Sequence, residues 1–217
     1  FAAVDLTKVR DDDGHLSWRM GIGGGHQQDD FVDVFWRPAY HGVLDLADGY
    51  VPGSQIQMGS SQWRLWQDGD VRLQRFTVID VLSLSPRGFY QQPWSWGVST
   101  GVKRFIGQQQ ELHGYLHVGF GQTVHLAGGR AYALGEAQLL ADNQIDEGYQ
   151  LTLGPRVGWL YQSSVANAQL EANWQPVLAG AEYERKQLTG SITARLSQQS
   201  QLRLHWQRQW FSQVGVN

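Results

Sequence analysis

The stretch Leu112-His113-Gly114-Tyr115-Leu116-His117-Val118-Gly119-Phe120-Gly121-Gln122-Thr123-Val124-His125-Leu126 decides the fold. One parity reads Leu112, Gly114, Leu116, Val118, Phe120, Gln122, Val124, Leu126; the other reads His113, Tyr115, His117, Gly119, Gly121, Thr123, His125. Successive side chains of a strand point to opposite faces, so this is a strand with one apolar and one polar face. The same period returns in Tyr149–Tyr161, Trp94–Lys103, Ala166–Gln175 and Gln201–Trp206, while helical periodicity is almost absent. About eleven such segments start near His15, Phe31, Gln55, Val71, Trp94, Leu112, Arg130, Tyr149, Ala166, Leu188 and Gln201. Their lengths, roughly 9–13 residues, suit tilted membrane-crossing strands. Turn residues join them: Gly23-Gly24-Gly25, Asp68-Gly69-Asp70, Gly107-Gln108, Gly128-Gly129, Asp142-Asn143 and Ser197–Ser200. The pattern predicts an all-β, antiparallel up-and-down barrel. With no break in composition, residues 1–217 read as a single domain, the first fourteen as a periplasmic lead-in.

Alternation alone does not say which face meets solvent. In a membrane barrel, apolar side chains meet lipid and polar ones line the lumen, the inverse of a soluble barrel. The 217 residues include 26 Gly, 26 Gln, 10 Trp and fourteen Arg but only three Lys (Lys8, Lys103, Lys186). Charged residues make up 17%, against about 25% in soluble domains. The polar parity carries Gly, Ser, Gln, Asn and His, which suit a crowded lumen better than a hydrated surface. Trp18, Trp94, Trp96, Trp159, Trp174, Trp206 and Trp210 fall mostly on the apolar parity near strand ends, as in an interfacial aromatic girdle. The expectation is a transmembrane barrel in outer-membrane lipid.

The same counts exclude other classes. A net charge of −3 supplies no basic stripe for nucleic acid. No Cys means no disulfide, no thiolate metal site and no Cys nucleophile. No run of about 18 apolar residues exists for a helical span. Phe1 opens without Met or a leader, which reads as a processed or truncated product. A barrel in lipid must close, and bacterial single-chain barrels have even strand numbers. Eleven visible strands therefore imply a twelfth, with Val214–Asn217 as a turn or its start and the last strand missing; ten is the other count considered.

Three places resist the pattern. Ile56 and Met58 oppose Trp63 and Leu65 in parity, which predicts a bulge or bend near Gly59–Ser61. Val71 and Leu73 conflict with Phe76 and Val78. Arg130–Ala141 puts Glu136 and Gln138 on the face of Tyr132, Leu134 and Leu140, leaving its faces unassigned.

Candidate chemistry lies on the polar parity and in one long loop. His113, His117 and His125 share a strand face, but His113 and His117 are about 13 Å apart, too far to share a metal. They read as hydrogen-bonding lumenal residues; no metal site or cofactor is expected. Glu136, Glu171, Asp80, Arg19, Arg156 and Arg203 read as lumenal ion pairs that help fill the barrel. Ser95 and Ser99 lie on the side of His113, where a Ser–His contact would serve a lipid-hydrolysing enzyme. The Arg37–Ser54 connection carries strand breakers (Pro38, Gly42, Gly49, Pro52, Gly53) beside apolar Tyr40, Val43, Leu44, Leu46, Tyr50 and Val51. Arg37, Tyr40, His41, Leu44 and Tyr50 either dock a partner or fold back and cap the barrel. Asp11-Asp12-Asp13 reads as a solvated run, and Gly21–Gly25 lacks the helix of a phosphate loop.

The blocks Arg37-Pro38-Ala39-Tyr40-His41, Leu44-Asp45 and Gly49-Tyr50-Val51-Pro52-Gly53-Ser54-Gln55-Ile56 are not ordinary barrel sequence. With Leu82–Arg87, Pro93–Trp96, Gly148-Tyr149 and Gly154-Pro155-Arg156, they resemble the C-terminal part of a Gram-negative family whose N-terminal half is an Lnb-type periplasmic domain. That resemblance implies an outer-membrane barrel following a domain related to lipoprotein N-acyltransferases, which would carry a Cys/His site. No catalytic residue transfers to this Cys-free chain. The implied partners are outer-membrane lipid and an upstream periplasmic domain or another envelope protein, with no nucleic acid. If the chain enters from the periplasm, Arg37–Ser54 and Ser83–Pro93 are both periplasmic and unusually long for that side. The expected function is a non-catalytic barrel that anchors and docks a lipid- or lipoprotein-modifying domain. A lipid-hydrolysing enzyme and a small-solute channel are the rivals.

Overall fold

The computed structural model describes residues 18–26, 29–46, 50–104, 112–141, 146–181, 183–197 and 200–213. The expected lead-in over residues 1–14, with the Asp11–Asp13 run, lies outside the described residues, as do Gly107-Gln108, Asp142-Asn143 and Val214–Asn217. The strands are β1 (Arg19–His26), β2 (Asp30–Arg37), β3 (Ala39–His41), β4 (Ser54–Trp66), β5 (Val71–Ser83), β6 (Ser95–Lys103) and β7 (His113–Leu126). They continue with β8 (Gly129–Ala141), β9 (Tyr149–Gln162), β10 (Ala166–Gln175), β11 (Val177–Gly180), β12 (Tyr183–Arg195) and β13 (Gln201–Gln213). All belong to one antiparallel sheet in the order β1-β2-β4-β5-β6-β7-β8-β9-β10-β12-β13. Each strand neighbours its successor, an up-and-down meander.

The two remaining strands are continuations. β3 keeps the register of β2 against β4: Trp36 faces Ser61 and Ala39 faces Met58. The ladder to β4 skips Arg37 and Pro38, the latter having no N–H to give. β11 extends β10 against β9 past Pro176. The meander thus has eleven long strands among the described residues. Most begin within a residue or two of the positions read from the sequence. β12 begins at Tyr183 rather than Leu188, because outward Glu184 and Lys186 hide the alternation. Those polar ends lean on Trp174, whose indole N–H donates to Glu184 (3.3 Å) and whose ring lies under the Lys186 ammonium.

A bend on β4, with the register unchanged, and a bulge on β5 fall where parity conflicts. Gly59 adopts φ +63°, a left-handed conformation that costs Gly little, and outward exposure passes from Ile56 and Met58 to Trp63 and Leu65 across it. On β5 the register slips as Gln62 faces Arg75 but Trp63 faces Leu73, which reconciles Val71 and Leu73 with Phe76 and Val78.

The faces are inverted relative to a water-soluble protein. On β7, Leu116, Val118 and Phe120 are 45, 43 and 54% exposed, whereas His113 and Thr123 are buried. On β8 every even residue from Tyr132 to Leu140 is buried, with Glu136 and Gln138 at 1 and 2% exposure. Glu136 and Gln138 therefore share the interior with Tyr132, Leu134 and Leu140, and Ala133, Gly135 and Leu139 point outward. The sheet curls round this interior: side chains of β4 to β10 and β12 line a common cavity of about 180 Å³. β1 and β13 terminate the hydrogen-bonded order. No ladder pairs these two edges among the described residues, so the curled sheet is open along this seam.

Candidate functional site

The loops after β2 and β5, and the turns after β7, β9 and β12, gather at one end of the barrel. There the chain from Gly42 to Leu46 turns inward. Val43, Leu44 and Leu46 are all buried, and Val43 and Leu44 pack with Leu82, Leu84, Tyr132, Leu134 and Leu160 from the wall. Burial of each such side chain is worth about 1.5–3 kcal/mol, enough to hold a loop of this length in place.

Backbone polar groups of the inward turn find partners on the wall. Val43 N–H donates to Gln55 Oε1 (3.1 Å), and Gln162 Nε2 donates to the Val43 carbonyl (2.8 Å). Asn167 Nδ2 donates to the Asp45 carbonyl (2.9 Å), and Arg195 and Gln201 reach the Leu46 carbonyl (3.4 Å each). A second strap crosses the same mouth: Arg87 N–H donates to the Thr123 carbonyl (2.9 Å), beside a Pro86–Thr123 bridge.

Asp45 is the centre of the cap. Arg19 Nη1 and Arg203 Nη2 (3.0 Å) both donate to Oδ1. Arg37 Nη2 lies 2.6 Å from Oδ2, which also accepts the Gly42 N–H (2.8 Å). Burial pushes this carboxyl up, but the guanidinium groups of Arg37, Arg19 and Arg203 outweigh it and hold its pKa at about 2. Because Arg19 begins β1 and Arg203 lies on β13, one carboxylate ties together the two edge strands of the sheet, which do not pair with each other.

Below the cap the lumen is crossed by a second network. Arg156 donates to Glu136 Oε1 (3.0 Å) through Nη1 and to Glu171 Oε2 (2.7 Å) through Nε. His117 Nε2 lies 2.9 Å from Glu136 Oε2, which also accepts from Asn173 (2.6 Å). Tyr132 O–H donates to Glu171 (2.6 Å). Farther along, Arg185 donates to Gln138 (2.5 Å) and Lys103 stands over the Tyr115 ring. Apart from Tyr132, these side chains together line the cavity of about 180 Å³.

The residues read from the sequence divide accordingly. His117, Arg156 and Glu171 meet in the lumen, Arg203 instead joins the cap, and His113 is buried at the far end. Arg37, His41 and Leu44 face the mouth they close, so those three are not a free docking surface. His41 stacks on Tyr50 at 3.8 Å, and Tyr40 contributes backbone pairing with Gln57 in β3. Apolar side chains exposed at the capped end include Val51 (75%), Phe89 (91%) and Tyr90 (93%), with Val165 (66%) and Leu196 (67%) in the neighbouring turns. Sequence reasoning missed Phe89 and Tyr90, although their position between Gly88 and Pro93 in a long loop was a signal.

The Ser–His contact that a lipid-hydrolysing enzyme would need does not form at Ser95 or Ser99. Ser95 Oγ bonds Thr123 Oγ1 (2.7 Å), and Ser99 Oγ bonds the Tyr115 hydroxyl (3.3 Å), because Ser99 pairs with His117 and His113 lies opposite Lys103. A different pair does meet: His41 Nε2 lies 3.0 Å from Ser54 Oγ. Ser54 O–H donates to the Val51 carbonyl (2.6 Å), so its proton is committed to the turn and His41 donates to the hydroxyl. That is a brace for the loop. Among the described residues, no three His, Cys, Asp or Glu gather as a metal would need.

No curated protein and no solved structure matches the chain. Over residues 8–216 it matches a family described as a domain of unknown function (DUF7840), and the chain belongs to that family.

Proposed function

We propose that this chain is a sealed outer-membrane β-barrel that anchors and docks a periplasmic lipid- or lipoprotein-modifying domain and is not itself catalytic. The inversion of its faces carries this reading. An exterior of Leu116, Val118, Phe120, Leu153, Val157, Leu170, Ile192 and Leu204 around buried Glu136, Gln138, Gln175 and Asn167 is costly in water and favourable in lipid. Several exposed aromatics lie near strand ends, whereas Phe76, Phe120 and Trp206 lie in mid-strand. Trp18, Trp36, Trp94 and Tyr161 lie near the capped end, and Trp63, Tyr149, Trp174 and Trp210 near the other. Tyr149 and Tyr161 span about 40 Å along β9, or about 30 Å once tilted, close to the apolar thickness of a bilayer.

The cap and the lumenal ion pairs support a scaffold over a channel. Docking at the capped end fits exposed Val51, Phe89 and Tyr90, which face outward from a rigid, internally bonded mouth. Spin labels test the membrane part. Labels at Leu116 and Val118 should be reached by lipid-soluble oxygen and shielded from aqueous quenchers once the protein is in vesicles. Water accessibility at both positions would sink the reading. Co-purification with the Lnb-type domain implied by the resemblance, lost in Phe89→Ser/Tyr90→Ser, tests the docking part.

A further inference from the structure

The two ends of the barrel differ in charge. Arg19, Arg37, Arg87, Arg130, Arg195 and Arg203 stand at the capped end, and among the described residues Asp45 is the acid there. The far end mixes Asp30, Asp33, Asp70 and Glu184 with Arg64, Arg72 and Lys186. Three of the capped-end arginines crowd one carboxylate at the seam. Among the described residues Asp45 balances one of these positive charges, and the other two have no second carboxylate partner there; Asp48, in the same loop, lies outside the described residues.

The donors are also in excess. A carboxylate has about four lone-pair sites and a guanidinium five N–H donors. The Gly42 N–H and one N–H from each arginine fill Asp45. Arg203 Nε goes to Thr193 Oγ1 (2.9 Å). Arg37 Nε is buried with no hydrogen-bond partner, in a residue only 9% exposed. The Arg19 and Arg203 side chains keep 30 and 36% exposure, so the cluster opens at the seam. Guanidinium forks pair bidentately with phosphate oxygens, and forks arriving from β1, β2 and β13 suit a tetrahedral group better than a planar one.

We propose that Arg19, Arg37 and Arg203 form a phosphate-binding site at the seam of the barrel, filled by the headgroup phosphate of a phospholipid whose acyl chains lie against β1 and β13. Met20, Ile22, Leu202 and Leu204 on those strands are exposed at 64, 81, 51 and 65%, an apolar bed directly beside the cluster. The phosphate chemistry stands on the arginine geometry alone; the lipid as its source rests on the membrane-spanning reading.

Native mass spectrometry of the purified full chain, released from non-ionic detergent, tests the site with phosphatidylglycerol against diacylglycerol of the same chains. Phosphatidylglycerol should be retained about tenfold better, and Arg19→Gln/Arg203→Gln should remove that preference. Arg208→Gln, on the same strand at the far end, should keep it. If the double Gln variant does not fold, Arg19→Lys/Arg203→Lys keeps the charge and loses the forks, and should lower retention several-fold. Equal retention of both lipids, or full retention in the double variants, overturns the site. Inorganic phosphate in millimolar excess separates the sources: displacement of the lipid supports a phosphate site and overturns a lipid-specific one. A gain of about tenfold in Asp11→Asn/Asp12→Asn/Asp13→Asn would make that acidic run the occupant and overturn the proposal. Binding in detergent by a chain that fails to enter vesicles would keep the phosphate site and sink the membrane reading alone.

Discussion

The two ends of this barrel solve the same problem by different means. At the capped end a long connection folds inward, buries Val43, Leu44 and Leu46, and ties β1, β2 and β13 through Asp45. At the far end the described connections turn more tightly, with Gly69 N–H returning to the Trp66 carbonyl, and the interior is filled by wall residues such as Tyr115, Leu140 and Ala181. A barrel wall cannot seal its own mouth, because its side chains radiate from a cylinder. A connection long enough to cross can bring both apolar bulk and a charge to the axis. The difference teaches that the cap is part of the core, and that loops of this length carry structure.

The comparison breaks first in the lumen between the two ends. Arg156→Leu would leave Glu136 and Glu171 buried without their cation and should cost about 3–5 kcal/mol. Urea unfolding in vesicles, followed by Trp fluorescence, measures it. Adding Glu136→Gln and Glu171→Gln should restore most of the loss; a loss that stays would mean that Arg156 acts through packing alone.

Next comes the wall. Leu116→Arg, on the outward face, should cost about 2–4 kcal/mol near the midplane of a bilayer. Leu84→Ala, within the cap cluster and 1% exposed, should cost about 2–4 kcal/mol in any solvent. Comparing the two variants in lipid and in detergent tells an outside contact from an inside one. A solvent-independent loss in Leu116→Arg would contradict the outward assignment.

The Asp45 clasp should be felt through pH. Its pKa near 2 in the folded chain, against the ordinary 3.8, gives about 2 kcal/mol of stability. A lowered pKa means that this contribution is complete above about pH 4 and is lost as pH falls toward 2. Wild type should therefore be more stable than Asp45→Asn at pH 6, and the gap should narrow as pH falls through that window. A constant gap would show that the amide of the Asp45→Asn variant breaks the loop for reasons other than charge.

The smallest effect belongs to the exposed tip. Phe89→Ser should change stability by less than about 0.5 kcal/mol, since the ring contacts water and Tyr90 but no core. Thermal unfolding checks it, and a large loss would mean that the strap holds the mouth through this residue.

The alternation of Leu112–Leu126 and Tyr149–Tyr161 fixed strands, boundaries and their meander, because a period of two has one structural meaning and tight turns leave few topologies. It also placed Arg156, Glu171 and His117 indoors, since their neighbours in sequence are apolar residues that point the other way. The conflict around Gly59 predicted a bend for the same reason. The Ser95–His113 contact failed because parity says which face a residue takes and not which residue stands opposite. Register against the neighbouring strand put Ser99 beside His117. The fate of the Arg37–Ser54 loop lay beyond local pattern altogether: its apolar residues called for burial against some surface, without naming which. Only the curled wall, with Leu84, Tyr132 and Leu160 meeting at one mouth, offered that surface. Likewise the sequence held fourteen Arg, but their convergence on Asp45 from strands more than 150 residues apart came from curling the sheet until its first and last strands reached the same carboxylate. Charges separated along a chain become one site only when the backbone returns them to the same place.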